Sequence, residues 1–336
     1  MDDQLSIPAR RHSRVLGVGS YRPRREVDNA EVCTWIDSTE EWIESRTGIR
    51  HRRIAAPDET LRAMAVAAAR AALDHAGLAP GAVDCVVVST MTNFAHTPPL
   101  SAEVAHDLGA TGAGGLDLSA GCSGFCHALA LADETVSSGA SGHVLVIAVE
   151  RMTDVVDMAD RRLAFLFGDG AGAVLVGPSD RPGIGPVVRG SDGSGLEALR
   201  MSSTWDRYAA DPAVRRPVLE MDGRRVFRWA VETVVPAARL ALERAGLKAA
   251  DLAAFVPHQA NVRMVEVLAD RLGLPGHVVV ARDGAESGNT SSASVPLALD
   301  RLVRSGALPG GGPALVMGFG SGLSYAGQTV LLPAPQ

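Results

Sequence analysis

The sequence predicts an α/β protein of two similar halves, each a mostly parallel sheet with helices packed on it. Three observations carry this. Ala68–Leu78 reads AARAALDHAGL and Ala237–Leu247 reads AARLALERAGL, identical at eight of eleven positions at an offset of 169 in a chain of 336 residues. Val136 and Ser138-Gly139-Ala140 match Val303 and Ser305-Gly306-Ala307 at an offset of 167, with Asp133 opposite Asp300. Apolar, β-branched runs also alternate with helical patterns along the whole chain, the signature of sheets with helices packed on them.

Taken in order, each copy of the first repeat is a helix with a glycine stop. A short linker then leads into a strand, DCVVVST from Asp84 and AAFVPHQ from Ala253. In DLSAGCSGFCHALALADETV a strand end gives way through small residues to a helix running to about Ser137. The second repeat is followed by the strands HVLVIAVE from His143 and PALVMGFG from Pro313. FGDGAG at Phe167 and FGSGLS at Phe319 echo each other at an offset of 152, out of step with the other repeats. GDGAGA at Gly168 is followed by a strand, whereas a dinucleotide loop must open a helix that receives the pyrophosphate, so it reads as a tight turn where backbones approach closely. The halves are expected at residues 13–178 and 184–333. Residues 184–225, rich in Gly, Pro and charge, read as a surface excursion bordering a ligand entrance.

With 46% hydrophobic and 21% charged residues and a net charge of −6, the composition is that of a soluble globular protein rather than a nucleic-acid binder. Lys248 is the only lysine, so any anion site must use arginine. Cys33, Cys85, Cys122 and Cys126 form no CxxC pair, and the nine histidines are scattered, so no disulfide scaffold, metal site or cofactor is expected. The start, MDDQLSIPARRHSRV, has no apolar stretch behind it, and no 18-residue apolar run occurs anywhere. The expectation is no signal peptide, no membrane span and a cytoplasmic location.

Cys122 stands at a strand-to-helix junction between Gly121 and Gly124, where free N–H groups and the helix dipole favour a thiolate. Cys126, one turn on, reads as a packing residue. The repeat adds what a single motif cannot. At the 167 offset Cys122 corresponds to Asn289 in SGNTSSASVP, and at the 169 offset Ser89 corresponds to His258 in FVPHQAN. All three sit at matching strand ends, where open α/β sheets bind ligands. The glycine-rich turn GFGSGLSY at Gly318 can aim backbone N–H groups at one spot, as an oxyanion hole requires.

Cys122 in SAGCSGF, His258 in VPHQAN, Asn289 in GNTSSASVP and the closing GFGSG together resemble β-ketoacyl-acyl carrier protein synthase III of the thiolase-like superfamily. The resemblance runs from GVGSYRPRREVDN at Gly17 through STEEWIESRTGIRHRRI at Ser38 to the final strand. Thiolases would need a second cysteine where Ser321 stands, and elongating ketosynthases a second histidine in place of Asn289. The resemblance implies a five-layered αβαβα fold of two βαβαβαββ halves related by a pseudo-twofold, and a homodimer. It implies that Cys122 takes an acyl group from acyl-CoA, with the backbone N–H groups of Cys122 and Ser321 as oxyanion hole. His258 and Asn289 would then stabilise the enolate from decarboxylation of malonyl-acyl carrier protein. Trp42, Arg46 and Arg161 match residues around the CoA adenine. Asn261 and Arg263 match the pantetheine tunnel entrance, and Thr97 a cap on the partner subunit's acyl pocket, with Phe94 as the alternative if the segment shifts. Arg224, Arg225 and Arg228 form a basic cluster that precedes a helix, and Arg228 matches a carrier-protein docking position. Two other readings are open: transfer of the acyl group to an alcohol or amine, and a non-catalytic acyl-binding partner.

Overall fold

The structure, a computed structural model, describes residues 10–334. Residues 1–9, which carry most of the N-terminal stretch read above, lie outside the described residues. The first half contains β1 (His12–Tyr21), β2 (Arg25–Asp28), α1 (Asn29–Val32), α2 (Glu40–Thr47), β3 (His51–Ile54), α3 (Leu61–Ala76), β4 (Cys85–Ser89), α4 (Leu100–Leu108), β5 (Gly114–Leu118), α5 (Gly124–Ser137), β6 (Val144–Arg151) and β7 (Asp169–Ser179). The second contains β8 (Val188–Ser191), β9 (Leu199–Met201), α6 (Trp205–Ala210), β10 (Leu219–Met221), α7 (Gly223–Arg244), β11 (Ala254–Pro257), α8 (Val262–Leu272), β12 (Val279–Val280), α9 (Gly284–Ser287), α10 (Ser294–Arg304), β13 (Gly312–Gly320) and β14 (Ser324–Leu332).

The two copies of the first repeat fall in α3 and at the end of α7. Thr60 caps α3 by accepting from the Ala63 N–H, and Gly77 ends it in the left-handed region at φ 66°. Its buried face is Met64, Ala65, Ala68, Ala69, Ala72 and Leu73, a helical spacing of mostly small side chains that lets it lie close to the sheet.

Each half builds a five-stranded sheet. The first has the order β1-β7-β6-β4-β5 and the second, read from its other edge, β8-β14-β13-β11-β12. The orders correspond strand for strand, so the duplication seen in sequence is also one of topology. The sheets are mixed rather than mostly parallel as expected. β4 runs parallel to β5 and β6, and β11 to β12 and β13. The β1/β7, β6/β7, β13/β14 and β8/β14 pairs are antiparallel. β6 leads to β7, and β13 to β14, without a crossover helix, so each of these pairs reverses direction.

Five layers follow from the cores. α5 and α10 share one apolar cluster with strands of both sheets and form the central layer. α3 and α4 cover the outer face of the first sheet, and α7 and α8 that of the second. The third echo is out of step because residues 152–168 separate β6 from β7, whereas only Ser321–Leu323 separate β13 from β14. Gly172, in the run that starts at Gly168, meets α10: a Cβ there would lie 2.7 Å from the Pro296 Cβ, so the close-approach reading fits.

Residues 184–225 are more than a surface excursion. They supply β8 to the second sheet and the two-stranded β9/β10 sheet, with Leu199 and Leu219 buried. Composition misleads there because the apolar residues are few and widely spaced. Among the described residues no helix is long and apolar enough to cross a membrane.

Candidate active site

Cys122 sits in the turn Gly121–Ser123 that enters α5. Gly121 adopts φ 51°, a left-handed bend that brings the chain round at the helix start. A Cβ on Gly320, at the end of β13, would lie 2.8 Å from the Cys122 Cβ, and one on Gly121 would lie 2.9 Å from the Ser321 Oγ. The two backbone turns therefore touch. That contact sets the Cys122 and Ser321 segments side by side, where an oxyanion hole needs its donors.

His258 follows β11, and its backbone N–H donates to the Met317 carbonyl at 2.6 Å. Its Nδ1 lies 2.7 Å from the Ser294 Oγ, and its ring packs edge-on against Phe319 with centroids 5.3 Å apart. Asn289 crosses to the first half: its N–H donates to the Leu166 carbonyl at 2.8 Å, and its carbonyl accepts from the Gly168 N–H at 3.1 Å. The Asn289 Oδ1 accepts from the Ser291 N–H at 2.9 Å, which leaves Nδ2 as the side chain's donor. Cys122, His258, Asn289 and Ser321 all line one cavity of about 40 Å³, whose apolar wall includes Met91, Met152, Phe167, Leu199, Leu219 and Met221. The three chemical positions singled out by the repeat are thus brought together.

The electrostatics correct one expectation. Burial pushes the Cys122 thiol up to about 11, the buried Glu150 carboxylate adds to this, and the Ser291 hydroxyl only partly offsets it. The resting thiol is neutral despite its helix-start position. Burial drives the His258 imidazole down to about 3, so it too is neutral. Cys126 is buried and pushed up to about 12 by the same cause, as suits a packing residue.

Sequence reasoning missed three residues here. The Ser291 Oγ donates to the Cys122 Sγ at 3.4 Å, and Ser291 holds φ 50°, a left-handed conformation rare outside glycine. Ser294 contacts His258, as above. Glu150, fully buried at the end of β6, accepts from the Met91 N–H at 3.1 Å, the Thr92 Oγ1 at 2.8 Å and the Ser292 Oγ at 2.7 Å. Burial raises its carboxyl. A glutamate closing an apolar strand and a run of serines opening a helix were the available signals.

The residues matched to the nucleotide lie on one exposed edge. Trp42 in α2 is 40% exposed and packs edge-on against Phe165, centroids 5.4 Å apart. Arg46 is exposed one turn further on. Arg161 reaches this edge from the loop after β6, its guanidinium 3.7 Å from the Asp37 carboxylate. Asn261 caps α8, its Oδ1 accepting from the Met264 N–H at 2.8 Å, and the Arg263 Nε donates to the Ser45 carbonyl at 3.2 Å, tying α8 to α2. Thr97 and Phe94 are exposed in the loop before α4, and neither lines the Cys122 cavity of its own chain. Arg228 is exposed inside α7, which begins at Gly223 under an Asp222 cap.

Comparison with known proteins identifies the family and agrees with the fold. Residues 116–193 match the model of 3-oxoacyl-[acyl-carrier-protein] synthase III, and residues 242–332 match its C-terminal model. A β-ketoacyl-[acyl-carrier-protein] synthase III from Streptomyces lividans is 72% identical over 331 residues, covering 98% of both chains. Another from Streptomyces coelicolor is 47% identical, covering 96% of this chain and 97% of its own. Among solved structures, the priming β-ketosynthase of the R1128 polyketide pathway superposes with a TM-score of 0.98 at 72% identity, covering 99% of each chain. The Pseudomonas aeruginosa synthase III superposes at 0.89 with 37% identity, covering 97% of this chain and all of its own. With 72% identity to a β-ketoacyl-[acyl-carrier-protein] synthase III over nearly its whole length, the chain belongs to the β-ketoacyl-acyl carrier protein synthase III family.

Proposed function

We propose that the chain primes chain assembly by condensing an acyl-CoA starter with malonyl-acyl carrier protein. The observation that carries the reading is one cavity bordered by a nucleophile, Cys122, and two side-chain donors, His258 and Asn289. In the first half-reaction the Cys122 sulfur bonds to the thioester carbon, the carbon–sulfur bond to CoA breaks, and the thiol proton leaves with CoA. The Cys122 and Ser321 backbone N–H groups hold the tetrahedral oxygen. In the second, the bond to the malonyl carboxylate breaks and releases carbon dioxide. The electron pair forms an enolate whose oxygen accepts from His258 and Asn289. The enolate carbon attacks the Cys122 thioester, and the expelled thiolate regains a proton from water. Each well-placed donor contributes about 3–4 kcal/mol to such a step. No cofactor or metal enters this chemistry.

Trp42, Arg46 and Arg161 hold the CoA nucleotide in this reading, by stacking and charge, and Asn261 and Arg263 flank the pantetheine arm. The working unit is a homodimer. Its support is β5, the exposed outer strand of the first sheet, whose Leu116 is 38% exposed and whose edge can pair with a second copy. In that dimer Thr97 caps the partner's acyl pocket. Intact-protein mass spectrometry after exposure to acyl-CoA tests the nucleophile. One acyl adduct per chain that vanishes in Cys122→Ala is expected; an adduct that persists, or maps to Cys126, overturns the assignment.

A further inference from the structure

We infer that the Ser294 hydroxyl fixes the tautomer of His258 and so acts as a positioning residue for the malonyl half-reaction, an inference that rests on the role proposed for His258 above. Ser294 is the first residue of α10 and is buried. Its Oγ lies 2.7 Å from the His258 Nδ1 and 3.2 Å from the Gln259 N, so it touches two successive residues after β11. A hydroxyl has one proton and two lone pairs. The Gln259 backbone N–H can only donate, so it occupies one lone pair. The hydroxyl proton then has the His258 Nδ1 as its acceptor at 2.7 Å.

With Nδ1 accepting, the proton of the neutral ring resides on Nε2. Nδ1 is turned toward α10, which leaves the Nε2 edge for the cavity that His258 shares with Cys122 and Asn289. Nε2–H can donate to an enolate oxygen; a bare Nε2 lone pair would repel it. The competing arrangement puts the proton on Nδ1. The second lone pair of the Ser294 oxygen would then accept it, and the hydroxyl proton would lose its acceptor at 2.7 Å, an unfavourable exchange in a buried site. Ser294 thus does for His258 what the Ser291 N–H does for Asn289: it engages the acceptor side so that the donor side is left for substrate.

The test uses full-length protein labelled with ¹⁵N-histidine, whose ring-nitrogen shifts separate protonated from bare nitrogens; the His258 signals are the pair lost in His258→Ala. Wild-type protein should carry its proton on Nε2. Ser294→Ala should shift His258 toward the Nδ1–H form and slow carbon dioxide release from malonyl-acyl carrier protein on the order of 10²-fold, with Cys122 acylation by acyl-CoA unchanged. Ser294→Thr, which restores the hydroxyl, should recover both the Nε2–H form and the release. A proton on Nδ1 in the wild type, or an unaltered tautomer in Ser294→Ala, overturns the inference. Should His258→Ala release carbon dioxide normally, the role of His258 itself fails, while the tautomer measurement still stands or falls by itself.

Discussion

At Cys122 two local effects oppose each other. The start of α5 favours the thiolate, while burial and the nearby Glu150 carboxylate favour the thiol, and burial prevails, with the thiol at about 11. Alkylation by iodoacetamide should therefore accelerate about tenfold per pH unit between about pH 7 and 10 without levelling off, since only the thiolate reacts. A plateau below about pH 8 would mean that the helix start outweighs burial. Cys122, His258 and Asn289 were legible in the sequence because the repeat places them at equivalent strand ends. Ser291, Ser294 and Glu150 were not. A serine in Gly-Asn-Thr-Ser reads as turn material, and only the meeting of β6, β11 and α10 in space decides what its hydroxyl bonds.

Among the elements, α7 shows how a boundary changes a reading. Arg224, Arg225 and Arg228 read in sequence as a basic cluster ahead of a helix, but they occupy the first turns of α7 itself. Arg225 donates to the Ser194 carbonyl at 2.7 Å, which commits it to the chain's own fold, whereas Arg228 is exposed on the following turn. An acidic carrier protein would meet that face. Arg228→Glu should raise the KM for malonyl-acyl carrier protein severalfold and leave acyl-CoA kinetics unaltered, because a rim charge steers encounter without touching the chemistry. Steady-state rates against carrier concentration decide this, and an unchanged KM rejects the patch. Residues 184–225 carry the same lesson. Their composition resembles a loop, yet Leu199, Leu219 and Met221 wall the active-site cavity, because a few spaced apolar residues suffice for a short strand pair.

On the scale of the whole molecule, the duplication explains both the fold and the site. Equal strand orders in two sheets put Cys122 of the first half and His258 and Asn289 of the second at equivalent strand ends, and α5 and α10 meet between the sheets to bring them together. The offset of the repeats was enough to read a duplicated topology; the antiparallel strands were not legible, because period and hydrophobicity do not encode strand direction. Starter choice also belongs to this scale, since the proposed homodimer would bring in the second subunit. In that proposed dimer, a cap as small as Thr97 in place of an aromatic residue would enlarge the partner's pocket, and each buried methylene contributes about 0.8 kcal/mol. Starters of about four to six carbons should therefore outcompete acetyl-CoA, and Thr97→Phe should return preference to acetyl. Competition between acetyl- and isobutyryl- or hexanoyl-CoA checks this; a clear acetyl preference in the unaltered protein places the cap elsewhere. The division of labour between the halves is tested most directly by measuring carbon dioxide release from malonyl-acyl carrier protein on enzyme already acylated at Cys122. His258→Ala and Asn289→Ala should each acylate normally and lose release and condensation on the order of 10²-fold or more. Equal loss of acylation and release would contradict the account, because the two donors would then serve the first half-reaction as well.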